Sequence, residues 1–126
     1  MQTIVHYSFH FILPLFIALL FFRDQWKKAW LIMLLTMLVD LDHLFVRPVF
    51  DPARCSIGFH YLHSFPAIAL YCILLFNKRT RIAAVGLLFH MLTDFIDCLW
   101  TFSHCHTCML QSKLYGIYMN AMHLFR

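Results

Sequence analysis

The sequence predicts an all-α, membrane-embedded four-helix bundle with a short C-terminal interfacial helix. Three observations carry that expectation. Hydrophobic residues make up 62% of the chain and charged ones 13%, where a soluble domain carries about 25% charged residues. The apolar residues fall into four runs separated by short basic or proline-containing links. A chain of 126 residues holds one domain, and four helices of about 20 residues each would use most of it. Residues 1–100 therefore read as the transmembrane domain and 101–126 as a polar turn followed by the interfacial helix.

The first run, Ile4 to Phe22, ends at Arg23-Asp24-Gln25-Trp26-Lys27-Lys28. A cleaved signal peptide would need a basic residue before the run and a small-residue cleavage site after it, and neither is present. The second run, Ala29 to Val46, is followed by a loop marked by Pro48 and Pro52 and lasting to about Gly58. The third extends from about Phe59 to Phe76 and ends at Asn77-Lys78-Arg79-Thr80-Arg81, and the fourth covers Ile82 to Trp100. Thr101 to Thr107 is polar, and Met109 to Phe125 mixes apolar residues with Gln111, Lys113, Asn120 and His123, as a helix lying in the membrane interface does.

The net charge of +4 does not point to nucleic acid, because the basic residues sit in short links between apolar runs, where topology accounts for them. The links between helices 1 and 2 and between helices 3 and 4 hold Arg23, Lys27, Lys28, Lys78, Arg79 and Arg81, against Arg47, Arg54, Lys113 and Arg126 on the other side. That bias places the tight links in the cytoplasm and both termini outside.

The ionisable residues inside the runs repeat at helical spacing. His6 and His10 are i,i+4; Asp40 and His43 are i,i+3 with Asp42 beside them; His60 and His63 are i,i+3; His90, Asp94 and Asp97 form one stripe of helix 4. At a rise of roughly 1.5 Å per residue, His90 lies roughly 12 Å beyond Ile82 and Asp97 roughly 22 Å, while His10 and His6 come out roughly 18 and 24 Å from Phe22. Asp40 to His43, His60 and His63 fall at similar heights, so ten ligand-type side chains share one slab, away from the basic links.

A lone histidine near a helix end is most simply a satisfied polar residue, but ten converging groups are another matter. Each aspartate near the middle of a span costs roughly 2.5 to 3.5 kcal/mol on insertion scales, and no lysine or arginine inside the runs neutralises them. Bound metal, one or two ions, could, and two divalent cations would balance Asp40, Asp42, Asp94 and Asp97 in formal charge. Zinc is favoured, with manganese or iron as alternatives, because histidine and aspartate are good ligands for such ions. Asp40, Asp42, His43, His90 and Asp94 are the first-choice metal ligands, and Asp97 joins them as a ligand or as a partner orienting a ligating histidine. His6, His10, His60 and His63 are candidate catalytic acid/base groups or further ligands. Ser64 fits a helix cap better than a nucleophile. His104-Cys105-His106-Thr107-Cys108 allows a small zinc knuckle, but disulfide bonding among Cys55, Cys98, Cys105 and Cys108 fits an outward face equally well or better. Cys72, mid-helix, reads as a core residue.

The order Asp40-Leu41-Asp42-His43, His60-Tyr61-Leu62-His63-Ser64, then His90 with Asp94 resembles the bacterial membrane-bound metal-dependent hydrolases. In that family an early histidine, an Asp-x-Asp-His motif, a His-to-His-Ser motif and a late His-x-x-x-Asp recur on short apolar chains. The likeness extends from about residue 5 to residue 100. Tyr61 stands where the family commonly has an arginine, and the spacer here is shorter. The resemblance implies a multi-pass protein of the bacterial inner membrane, and the charge bias of the links would put the site toward the periplasmic side. The resemblance also implies hydrolysis of a lipid or lipid-linked phosphoester by metal-activated water. The competing expectations are a protein that binds or transports divalent metal or protons, and a small structural accessory protein. Transport is disfavoured by the nearly apolar cytoplasmic halves, Thr36 excepted.

Overall fold

A computed structural model describes residues 2–45, 47 and 55–124. Among them the chain is helical, with no strand. Helix α1 covers Gln2–Phe21, α2 Trp26–Leu35, α3 Phe65–Leu74, α4 Arg81–His104, α5 His106–Gln111 and α6 Lys113–Leu124, with a 3-10 helix at Thr36–Phe45 continuing α2. Helix α4 is the hub: α1, α2, the 3-10 helix and α3 all pack on it. The loop expected at Pro48 and Pro52 lies outside the described residues.

Two helices, α1 over Ile4–Phe21 and α4, are long and apolar enough to cross a membrane. The other two expected spans differ in form. The second run is α-helical for only 10 residues before it tightens to the 3-10 winding. The third begins at Phe65 rather than near Phe59, because Ser64 is extended and its hydroxyl accepts the Ala67 N–H at 3.4 Å. That is the cap expected of Ser64, and Pro66 in the first turn reinforces it. Before this cap the chain turns tightly. Gly58 has φ 78°, a conformation available to glycine at little cost, and its N–H bonds the His63 carbonyl at 2.9 Å.

The C-terminal part forms two helices in place of one. Helix α4 runs on past Trp100 through the polar Thr101 to His104 because Ser103 turns its hydroxyl back onto the Trp100 carbonyl at 2.7 Å, satisfying itself within the helix. Cys105 then ends α4 and caps α5 through its sulfur.

The tightening at Thr36 decides which way three residues face. With three residues per turn, positions i and i+3 eclipse, so Leu38, Leu41 and Leu44 form one outward stripe, 59, 53 and 62% exposed. Val39 and Asp42 fill the buried stripe, and Asp40 lines up with His43 on the third.

The interior and exterior invert the pattern of a water-soluble protein. The buried set includes His10, Asp42, His60, His63, His90, Thr93 and Asp94, while Phe16, Leu20, Leu31, Ile73 and Phe76 are among many exposed apolar side chains. Cys72, expected in the core, is exposed. A small apolar core of Val39, Cys55, Ile57, Tyr71, Met91 and Cys98 joins the 3-10 helix, the loop before α3, α3 itself and α4. Elsewhere the helices meet through small residues: Ala18, Ala29 and Ala84 are fully buried, which lets backbones approach.

Gly86 marks the closest approach of α4 to α2. A Cβ there would stand 2.9 Å from Thr36 Oγ1 and 3.1 Å from the Met33 Cα. Gly86→Val is therefore expected to lower stability by about 1–3 kcal/mol through overpacking. Gly116 on α6 faces open space, so Gly116→Ala should gain up to about 1 kcal/mol from helix propensity. Thermal midpoints in detergent check the pair, and a Gly86→Val protein as stable as the parent would contradict the packing.

Candidate metal centre

Helices α1 and α4 run antiparallel, pairing His10 with Asp94 and His6 with Asp97, so the basic links stand at the bundle end far from these residues. The same end of α4 meets the 3-10 helix and the loop before α3. All ten residues singled out in the sequence are brought to this region, in three linked groups: Asp40, His63, His90 and Asp94; His6, His10 and Asp94; Asp42, His43 and His60. Asp97 stands at the edge, 3.8 Å from His6 Nδ1.

The first group has the geometry of a coordination shell. His63 Nε2 lies 3.4 Å from His90 Nε2, 3.4 Å from Asp40 Oδ1 and 3.0 Å from Asp94 Oδ2. His90 Nε2 lies 3.0 Å from Asp40 Oδ1 and 3.6 Å from Asp94 Oδ2. A tetrahedron with zinc-to-ligand bonds of about 2.0 Å has edges of about 3.3 Å, and these five separations scatter around that value. One atom comes from the 3-10 helix, one from the loop before α3 and two from α4.

Protons alone do not satisfy this arrangement. His63 Nδ1 faces Asp42 Oδ2 at 3.1 Å, so the neutral imidazole donates there and presents a lone pair at Nε2 to two carboxylate oxygens and another ring nitrogen. A single added proton could serve only one of them. Among the described residues Asp94 Oδ2, although 3.0 Å from His63 Nε2, has no hydrogen-bond partner, and neither has His90 Nδ1. The described lysines and arginines are all exposed, so none supplies the missing positive charge. A divalent cation among these four donors would match the charge of Asp40 and Asp94. The residues present fit a metal.

Asp42 stands behind His63 instead of within that shell. Its Oδ2 also accepts the Leu62 N–H at 2.7 Å, and its Oδ1 lies 3.0 Å from His43 Nδ1. It thus holds one candidate ligand by its far nitrogen, the carboxylate–histidine arrangement that fixes the tautomer of metal-binding imidazoles. His43 is in turn 3.3 Å from Ser56 Oγ and stacks on His60 with ring centroids 3.8 Å apart. The sequence ranked His63 below Asp42 and His43; in the structure His63, fully buried, joins the first group, while Asp42 and His43 lie with His60 in another group whose donor atoms are within 4.8 Å of one another.

Three supporting groups carried no signal in the sequence. Leu62 acts through its backbone, Ser56 lies in a loop, and Tyr71 sits in an apolar run yet donates its hydroxyl to the Leu62 carbonyl at 3.0 Å. The loop is further tied to α4 by a Cys55–Cys98 disulfide, one turn beyond Asp94. Cys105 pairs with Cys108, so of the two uses open to these cysteines the structure takes disulfides. His104 and His106 join none of the three groups.

The chain belongs to the family of unknown function DUF6122, whose match covers residues 1–101. No curated protein and no solved structure matches the chain.

Asp42→Asn tests the supporting role. The amide retains an oxygen for Leu62 but removes the charge that orients His63, and such changes behind a ligand typically cost 10- to 100-fold in metal affinity. The expected result is a folded protein whose zinc dissociation constant rises by about that factor. Unchanged affinity in a metal-competition titration would remove Asp42 from the centre.

Proposed function

We propose that this DUF6122 chain is a membrane-embedded hydrolase that uses one or two divalent ions, zinc favoured, on a lipid or lipid-linked phosphoester. The single observation that carries the reading is the shell formed by Asp40, His63, His90 and Asp94, whose separations of 3.0 to 3.6 Å suit a tetrahedral ion held by nitrogen and oxygen.

The membrane setting is supported by the apolar exterior around a polar interior. Helix α2 and the 3-10 helix together span about 35 Å at their respective rises of about 1.5 and 2.0 Å per residue, enough for a hydrocarbon core of about 30 Å. With α1 and α4 they supply three spans. The fourth is made of α3 and the turning loop before it, a non-helical backbone of the kind tolerated at membrane depth where protein buries it. The Cys55–Cys98 and Cys105–Cys108 bonds lie at the site end and suit an oxidising compartment. That agrees with basic links in the cytoplasm of a bacterial inner membrane and a site toward the periplasm.

A bound ion would polarise a phosphoryl oxygen and bring the pKa of water from 15.7 to about 7. The chain's own groups do the remaining work. Asp42 fixes the ring of His63. Asp40, whose side chain is 41% exposed, opens the shell toward the outside, where a substrate headgroup would arrive. The stacked His43 and His60 are placed to carry protons.

One observation favours a second reading. Four donors close a tetrahedron, as in structural zinc sites, whereas catalytic sites keep a position open. A structural ion would stabilise the bundle without turnover.

Elemental analysis of detergent-purified protein, thermal midpoints and hydrolysis of a panel of phospholipid and lipid-phosphate esters separate these readings. For His90→Ala we expect loss of the ion and a fall in rate of more than about 100-fold, since changes one shell further out already cost 10- to 100-fold. An ion without turnover on any ester would favour the structural role, and a metal-free parent would end the metal reading.

Reporter fusions check the orientation. Fusions after Lys28 and after Lys78 should read as cytoplasmic and one near Pro52 as periplasmic, and the reverse pattern would turn the site inward.

A further inference from the structure

The shell described above uses only one oxygen of Asp94. The other, Oδ1, points to α1, where His10 Nε2 lies 3.6 Å away, and the ring of His6 packs on that of His10 with centroids 4.4 Å apart. His10 is 3% exposed. Its Nε2 has no hydrogen-bond partner among the described residues, and neither has Nδ1 of His6. A buried ring nitrogen aimed at a carboxylate, yet beyond hydrogen-bond distance of it, leaves space between the two for a third atom. Donor atoms of His6, His10 and Asp94 all lie within 4.8 Å of one another.

We propose that His6, His10 and Asp94 form a second cation seat, and that Asp94 bridges two ions, with Oδ2 toward the Asp40–His63–His90 seat and Oδ1 toward this one. The inference deepens the metal-hydrolase reading and rests on it. The His10 and His90 rings stand 4.4 Å apart, and a bridging carboxylate suits the metal separation of about 3.5–4 Å found in two-metal hydrolytic sites.

The two seats differ in what they leave open. Four protein donors surround the first. Three serve the second, the number that leaves a position for water or a substrate oxygen in catalytic zinc sites. A cleft of about 10 Å³ between α1 and α4, lined in part by His6, Phe9, Thr93, Asp97 and Trp100, adjoins this seat at His6, and it is close to the volume that one water needs. Asp97 Oδ1 lies 3.8 Å from His6 Nδ1, at the edge of the seat. The difficulty that a closed shell raises for hydrolysis is thereby met, because the first ion would hold the helices together and the second would face the reacting water.

The test uses the full chain in detergent, equilibrated with manganese(II) and then freed of loose ions. It reads stoichiometry by elemental analysis and coupling by electron paramagnetic resonance. The parent should hold two ions per chain with an exchange-coupled signal. His10→Gln should hold one, with an uncoupled signal and unchanged helicity, and His6→Gln, at a less buried position, should behave in the same way if the His10 variant does not fold. One ion in the parent, or two coupled ions persisting in either histidine variant, would overturn the second seat while leaving the first intact. A parent with no ion would overturn both.

Discussion

Two carboxylates, Asp40 and Asp94, aim at the same pair of imidazole nitrogens inside a bundle whose outer surface is apolar. Burying like charges together without a cation is strongly unfavourable in a low-dielectric interior, so the rest of the architecture is arranged around that convergence. The hub position of α4 follows from it. A helix carrying His90, Asp94 and Asp97 on one stripe must turn that stripe away from an apolar surrounding, and α1, the 3-10 helix and the loop before α3 are the elements that cover it.

Convergence requires local departures from regular helix at two places. The 3-10 winding after Thr36 separates Asp40 and Asp42 by about one third of a turn per residue, so both can serve the polar interior while Leu38, Leu41 and Leu44 stay outside. The loop from Cys55 to Ser64 gives up helical hydrogen bonds and recovers them otherwise: through Gly58 to His63, Leu62 to Asp42 and Tyr71 to Leu62. His63 thus reaches the centre from a backbone held at both ends, and the Cys55–Cys98 bond ties that backbone to the helix bearing two of its partners. Fixing the donors on separate elements before an ion arrives lowers the cost of binding it.

The likeness to membrane-bound metal-dependent hydrolases rests on the order of four short motifs, and each motif is housed differently. Asp-x-Asp-His sits on the 3-10 helix, His-to-His-Ser on a turn that leads into a cap, His-x-x-x-Asp on the central helix and the early histidines on α1. The four motifs lie at different points along their elements and meet in space. Fold alone does not specify chemistry; the donor types and their separations suit a bound cation.

Composition and run length by themselves determined that the chain is helical and that ten of its histidines and aspartates share one height, since helical rise converts residue count into height. Spacing on α4 also revealed its polar stripe. Tertiary structure alone decided which residues meet. The sequence ranked Asp42 above His63, but which donors a side chain meets depends on the direction of its donor atoms. That direction depends on the 3-10 turn and on a loop without periodicity. The second run kept its length but not its winding, and the third gave its first six residues, Phe59 to Ser64, to the loop that buries His60 and His63. Pairing of the cysteines was likewise undecided by spacing, for Cys55 and Cys98 are 43 residues apart and are joined only because α4 and the loop pack together.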